Sequence, residues 1–323
     1  VKFIMRLSLG LAFAATAAVA TAQQTFPTKP IRLVVPFPPG GGTDILARVV
    51  ANKLQSGSGW TVVVENRPGA GGNIGVDVVA KAPADGYNIV MGQTSNLAVN
   101  PTLYAKLPYN PLKDLAPVTT IASAPLVLVV SANSPFKTIA DIVAAAKAKP
   151  SAVTFGSPGN GTVAHLSGEL LQRAAGIKLQ HIPYKGANQA MTDLVGNQID
   201  LYMSSIPTAL AQIKGGKLRA IAVTSTKRVH DLPAVPTVAE AGFKGVEAAT
   251  WFGFLVPAGT PAPIIQKLNA ETNKALKTPE VREKIAAEGA EVLGGTPEEF
   301  AALIKSEIAR WGVVVKESGA KID

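Results

Sequence analysis

The chain has 323 residues, 47% of them hydrophobic and 16% charged, with a formal net charge of +9 and no cysteine. That length and balance suit a globular protein with room for two domains, and the missing thiols exclude disulfides, cysteine-ligated metals and lipid attachment through cysteine. Lys and Arg are scattered singly with few aromatics among them, which argues against nucleic acid as a partner and favours a mild attraction for anionic solutes.

In chain order, residues 1–22 are expected to be a signal peptide. Lys2 and Arg6 make the basic start, residues 7–19 the apolar centre, and Ala20, Thr21 and Ala22 a small-residue cleavage site. Removing the segment takes two positive charges with it, leaving +7 of the +9 on a mature chain that begins near Gln23. The apolar centre is shorter than the roughly 20 residues that cross a bilayer, and no later stretch is long and apolar enough to do so.

The stretch 31–44, IRLVVPFPPGGGTD, predicts a buried strand, a Pro/Gly turn and the first turn of a helix. Pro36, Pro38 and Pro39 have no N–H for a strand ladder, while Gly40, Gly41 and Gly42 let a ligand come close to the backbone. Gly42 or Thr43 is expected to cap the helix, which buries Ile45, Leu46, Val49, Val50 and Leu54. Bare N–H groups at a helix start carry partial positive charge, so a carboxylate or phosphate is the natural guest. No Lys follows the glycines, so this is not the G-x-x-x-x-G-K-[ST] loop of nucleotide-binding proteins. Asp44 has two possible roles beside an anion site: it serves its own helix start and nearby backbone, or it meets a hydroxyl or ammonium of the ligand.

The same logic recurs downstream. Residues 61–65 predict a strand, 66–72 a turn, and the next helix is expected to bury Ile74, Val78 and Val79. A third strand delivers Thr94, Ser95 and Asn96 to its carboxyl end, where the ligand crevice of an open α/β sheet lies. Two strands, 118–121 and 126–130, are expected on either side of 122–125, marking a first crossing between domains. A second α/β unit then carries GSPGNGTVAHLSGELLQ: residues 156–161 turn, Thr162 caps, and Val163, Leu166, Leu170 and Ala174 form the buried stripe. His165 falls on the opposite side of the wheel, facing a ligand or solvent.

Gly159, Gly161 and Ala164 satisfy the dinucleotide pattern G-x-G-x-x-A, but the following strand, 179–184, ends in Pro183 and Tyr184 with no acid to hold a ribose. No NAD or other cofactor is therefore expected. VEAATWFGFLVP reads as the return crossing, with Thr250, Trp251 and Phe252 at the junction. The remainder is expected to be helical, with Phe300 and Trp311 as core anchors that tie the tail to the first domain.

PFPPGGGTD, ENRPGAGGNIG, the GSPGNGTVAHL turn, HIPYKG and VPTVAEAG, in this order, resemble the Bug family of periplasmic solute-binding receptors that serve tripartite tricarboxylate transporters. The resemblance covers nearly the whole mature chain. It implies an α/β fold of the type II periplasmic-binding-protein kind, with two α/β domains, two crossovers, and a cleft that closes on a small organic acid. Residues 23–122 and 250–323 are expected to form the first domain and 123–249 the second. The implied partners are the organic acid, held largely by backbone N–H groups and ordered waters, and the membrane subunits of the transporter. The protein is expected to be periplasmic and monomeric. Carried over onto this sequence, the ligand-binding residues are Phe37, Gly41, Gly42, Thr43 and Asp44 of the first loop, Thr94 and Ser95 of the third strand, Gly159, Gly161, Thr162 and His165 of the second loop, and Tyr184.

An enzyme is the rival from another class. The three histidines, His165, His181 and His230, are scattered, and neither G-x-S-x-G nor H-E-x-x-H occurs. Ser134 and Lys137 spell S-x-x-K, but Pro135 and the helix that follows make Ser134 a turn or cap residue. Neither a catalytic residue nor a metal site is expected. A sensor that feeds a signalling partner would use the same residues as a transport receptor. The identity of the acid lies beyond the motifs, because loop shapes set the rest of the cleft.

Overall fold

In the computed structural model, which describes residues 26–318 and 320, strand β1 (Ile31–Val35) lies inside a sheet between two parallel neighbours. These are β2 (Val62–Asn66) and β3 (Asn88–Gln93). The expected signal peptide lies outside the described residues. Helix α1 (Gly42–Ser58) starts one residue earlier than expected, because Gly41 already has the extended backbone of a cap (φ −84°, ψ 165°). Leu46, Val50 and Leu54 are buried, with Ile45 and Val49 at the edge of the stripe. In α2 (Asn73–Ala80) the buried face carries Val76 and Val79, whereas Ile74 is 49% exposed and lies across Gly69. A π-helical turn, Ser95–Val99, and the short α3 (Asn100–Leu103) follow β3.

The largest departure from expectation is β4, one 17-residue strand (Leu115–Ser131) where two short strands were predicted. Prolines usually end a ladder, but here both sit where the ladder changes. Pro117 adjoins a register shift, and Pro125 is the last residue paired with β9 (Ala249–Pro257). From Leu126 onward β4 pairs instead with β7 (Leu201–Ser205) and β8 (Leu218–Val223). The missing N–H of Pro125 therefore falls between two sets of partners and costs no hydrogen bond.

The second half of the chain supplies α4 (Ile139–Ala148), β5 (Thr154–Ser157), α5 (Val163–Ala175), β6 (Gln180–Pro183), α6 (Ala187–Val195) and α7 (Ile206–Lys214). The strands lie in the order β2-β1-β3-β9-β4-β7-β5-β6. Parallel α/β units stand at both ends, and antiparallel β9 and β4 carry the two passages between them. After β9 come α8 (Ala262–Leu276) and α9 (Pro279–Ala287), then β10 (Glu291–Gly294), a four-residue strand on β4 too short to show an alternation.

Helix α10 (Pro297–Ser318) does more than close the first half. Trp311 and Phe300 are buried in a core cluster that also contains Val34 and Val90 from one end of the sheet and Phe155 and Leu201 from the other. The Glu307 carboxylate accepts hydrogen bonds from the indole N–H groups of both Trp251 (3.1 Å) and Trp311 (3.0 Å). Arg173 of α5 pairs with Glu317 near the helix end. Trp311→Ala is expected to cost about 3–5 kcal/mol, by loss of buried surface and an unfilled cavity. Denaturant titration of the variant checks this; a loss below about 1 kcal/mol would mean that the helix is not part of the core.

Candidate functional site

Where β4 and β9 cross, the helix starts of the two halves meet around one cavity of about 60 Å³. That is room for more than one water molecule. Phe37, Gly41, Gly42 and Thr43 line it from the loop before α1, and Thr162, Val163 and Ala164 from the start of α5. Ala187 adds the start of α6, and Ser205 and Thr208 add the start of α7. The backbone N–H groups of Thr43, Ala164 and Ala187 have no hydrogen-bond partner among the described residues. None of the 18 residues of the wall is Asp, Glu, Lys, Arg or His.

Contacts between the halves surround this cavity. Gly42 N–H donates to Thr208 Oγ1 (3.1 Å), Val163 N–H to Ser95 Oγ (3.3 Å), and Asn188 Nδ2 to the Pro39 carbonyl (3.0 Å). Glycine is required where backbones approach most closely. A Cβ on Gly161, whose φ is +72°, would lie 1.8 Å from Leu103 Cδ2, and one on Gly186 would lie 2.8 Å from Pro38 Cγ.

The expected site residues divide into two groups. Phe37, Gly41, Gly42, Thr43, Ser95 and Thr162 line the cavity; Asp44, Thr94, Gly159, Gly161, His165 and Tyr184 stand behind its wall. Asp44 is buried and accepts hydrogen bonds from Arg48 Nε (3.0 Å), Gly40 N–H (3.0 Å) and Asn66 Nδ2 (2.9 Å). Burial alone would raise its pKa, but the hydrogen bonds from Arg48, Gly40 and Asn66 outweigh it and hold the carboxyl below its ordinary value. Asn66 also donates to the Phe37 carbonyl (3.0 Å), so the carboxylate pins both ends of the glycine turn. Thr94 Oγ1 accepts from the Trp251 N–H (2.9 Å) and joins β3 to the return crossing.

His165 does not occupy the exposed side of its helix. It is 8% exposed, because β5 and β6 cover the first turn of α5, and its ring stacks on His181 at 3.9 Å with a 6° interplanar angle. The buried stripe of α5 turns with it, to Leu171 and Ala175 in place of Leu170 and the exposed Ala174. His165 Nδ1 accepts from Gly161 N–H (3.1 Å), which leaves the ring proton on Nε2 when the ring is neutral. His181 Nε2 lies 2.7 Å from Ser157 Oγ, and the Thr162 hydroxyl donates to the Gly159 carbonyl (2.8 Å), so the loop is braced from below. Tyr184 turns away from the cavity, and its hydroxyl donates to Asp193 Oδ2 (2.8 Å). Burial, then Asp193, pushes that phenol up to about 12.

Burial and the neighbouring His165 push His181 down to about 3. An imidazole held below its unfolded value of 6.5 contributes stability that is complete above pH 6.5 and is lost as pH falls toward 3. The ceiling is about 1.4 kcal/mol per pH unit, reduced because the ring is part-exposed. The melting temperature is expected to drop by a few degrees between pH 7 and pH 5, and His181→Phe to flatten that slope. An unchanged slope in the variant would assign the acid sensitivity elsewhere.

Gln93, Leu126, Tyr202, Ser205, Thr208, Thr250 and Phe252 also wall the cavity, although the motifs point to none of them. Ser205, Thr250 and Phe252 stood at strand ends or crossings, where an α/β crevice is expected, and that position was the one available signal.

Residues 46–320 match the family model described as the tripartite tricarboxylate transporter family receptor. The chain belongs to that receptor family. It is similar to protein BugT of Bordetella pertussis, with 42% identity over 313 residues, covering 96% of each chain. Among solved structures it is similar to an R. palustris protein with adipate, at 37% identity and a TM-score of 0.89, covering 92% of this chain and all of that one. It is also similar to MatC of Rhodopseudomonas palustris with bound malate, at 32% identity and a TM-score of 0.85, covering 90% of this chain and all of that one. It has the two-domain α/β fold of periplasmic binding proteins, as in the similar solved structure of the periplasmic binding protein BugD, at 37% identity and a TM-score of 0.87. Among the described residues no helix is long and apolar enough to cross a membrane.

Proposed function

We propose that this receptor captures one small organic carboxylate between two lobes, residues 23–122 with 250–323 and residues 123–249, and delivers it to the membrane subunits of a tripartite tricarboxylate transporter. The observation that carries the reading is the set of bare N–H groups on Thr43, Ala164 and Ala187, which come from helix starts in both halves and open on one cavity. Helix starts favour an anion, and the absence of a charged side chain in the wall leaves the backbone to hold it. Each charge-assisted hydrogen bond contributes on the order of 1.5–3 kcal/mol, so several support micromolar binding without an Arg.

A ligand that touches both lobes binds the closed form better than the open one and so shifts the hinge equilibrium. The adipate and malate held by the R. palustris relatives are both carboxylates, which supports the same ligand class here. The receptor is proposed to act as a periplasmic monomer after removal of residues 1–22. Titration calorimetry against a panel of carboxylates is expected to give saturable heats. Binding of neutral sugars or amides with no heat from any acid would end the reading, and recovery of a chemically altered ligand would make the protein an enzyme.

A further inference from the structure

Part of the cavity wall is sheet rather than helix start, and it holds two polar side chains with nothing to bond. Gln93 ends β3, and its register partner on antiparallel β9 is Phe252. Thr250, two residues before Phe252, points to the same face of the strand, and all three line the cavity. Gln93 is 8% exposed and Thr250 6%, yet neither the carboxamide nor the hydroxyl makes a hydrogen bond among the described residues. Gln93 is nevertheless firmly placed, because its backbone N–H donates to Asn96 Oδ1 (3.0 Å). Their polar atoms open on the cavity and are not sealed in the interior, so a polar group of the ligand can take the place of water there and complete the pair.

The donor and acceptor count says which group fits. A carboxylate only accepts, so it would use Gln93 Nε2 and the Thr250 hydroxyl but leave Gln93 Oε1 facing a negative charge. No cation in the wall offsets that repulsion. A hydroxyl both donates and accepts. It would donate to Gln93 Oε1 while accepting from Nε2 or from Thr250, leaving nothing unmatched.

We propose that Gln93, together with Thr250, selects ligands that carry a neutral hydroxyl in addition to the carboxylate, which makes the preferred class small hydroxycarboxylic acids; this rests on the carboxylate-receptor reading. Calorimetry tests it with hydroxy acids measured against their deoxy partners, malate against succinate and 3-hydroxybutyrate against butyrate among them. The wild-type protein is expected to prefer the hydroxy member by about tenfold or more. In Gln93→Met and Thr250→Val that preference shrinks to within about threefold. Equal affinities in the wild type, or variants that weaken both partners alike with an unchanged melting temperature, overturn the hydroxyl selection and leave the carboxylate-receptor reading standing. Failure of every acid to bind the wild type overturns the receptor reading and this proposal with it.

Discussion

Gly161→Ala is expected to weaken carboxylate binding about 100-fold while leaving the receptor folded. Gly161 has a φ of +72°, a left-handed conformation that costs an L-residue roughly 1–2 kcal/mol. The decisive term is contact with the other half of the molecule: a Cβ would lie 1.8 Å from Leu103 Cδ2 at the end of α3, far inside van der Waals distance. The clash exists only when the loop before α5 approaches α3. On the proposed hinge, opening the cleft relieves it, so the substitution is expected to penalise the closed form and spare the open one. A tenfold loss corresponds to about 1.4 kcal/mol, so overpacking of 1–3 kcal/mol in the closed form accounts for the size of the effect, while the backbone cost falls on both forms and lowers stability instead. Leu103→Ala introduced on top of Gly161→Ala is expected to recover most of the affinity, because it removes the methyl groups that the new Cβ meets. Calorimetry of the single and double variants checks both; wild-type affinity in Gly161→Ala would mean that binding does not need the two surfaces to meet.

Asp44→Ala is expected to destabilise the ligand-free protein by about 2–3 kcal/mol, the range for losing hydrogen bonds to a buried charged acceptor. Removing the buried carboxylate takes the shared acceptor from the Gly40 N–H, the Asn66 carboxamide and the half-exposed Arg48, and with it the brace across the glycine turn. The fall in melting temperature is expected to be about 4–6 °C for a chain of this size. Affinity is expected to fall as well, because Phe37, Gly41 and Gly42 line the cavity from the turn that Asp44 holds. The acid limb follows from the same contacts. A carboxyl held below its unfolded value of 3.8 contributes stability that is complete above pH 3.8 and is lost as pH falls further, so wild type and variant should converge in that range. If Asp44→Ala melted like the wild type but lost binding, the carboxylate would be touching the ligand and not bracing the turn.

Much of this receptor is legible one segment at a time. The Pro/Gly turn after β1, the glycine loop after β5, the caps and the alternation of strand and helix are local matters, set by missing N–H groups, missing Cβ atoms and the 3.6-residue period. They sufficed to locate the loops before α1 and α5, whose helix starts line one cavity. Local rules failed where another part of the chain covers a face. The wheel of α5 places His165 outside, but β6 brings His181 onto it; Tyr184 could have turned either way until Asp193 of α6 came within 2.8 Å. β4 could not be read as one strand, because Pro125 is harmless only if the ladder changes partners at that residue.

The amino-acid order by itself determined which turns end in bare helix starts and which fold family the chain enters, since both depend on residues adjacent in sequence. Tertiary structure alone decided what else walls the cavity. Gln93, Leu126, Tyr202 and Thr250 come from four strands, and no periodicity links them. They meet because β4 and β9 run antiparallel through the junction of the two halves, and the face a strand residue presents has no ligand-binding meaning until its neighbours are placed.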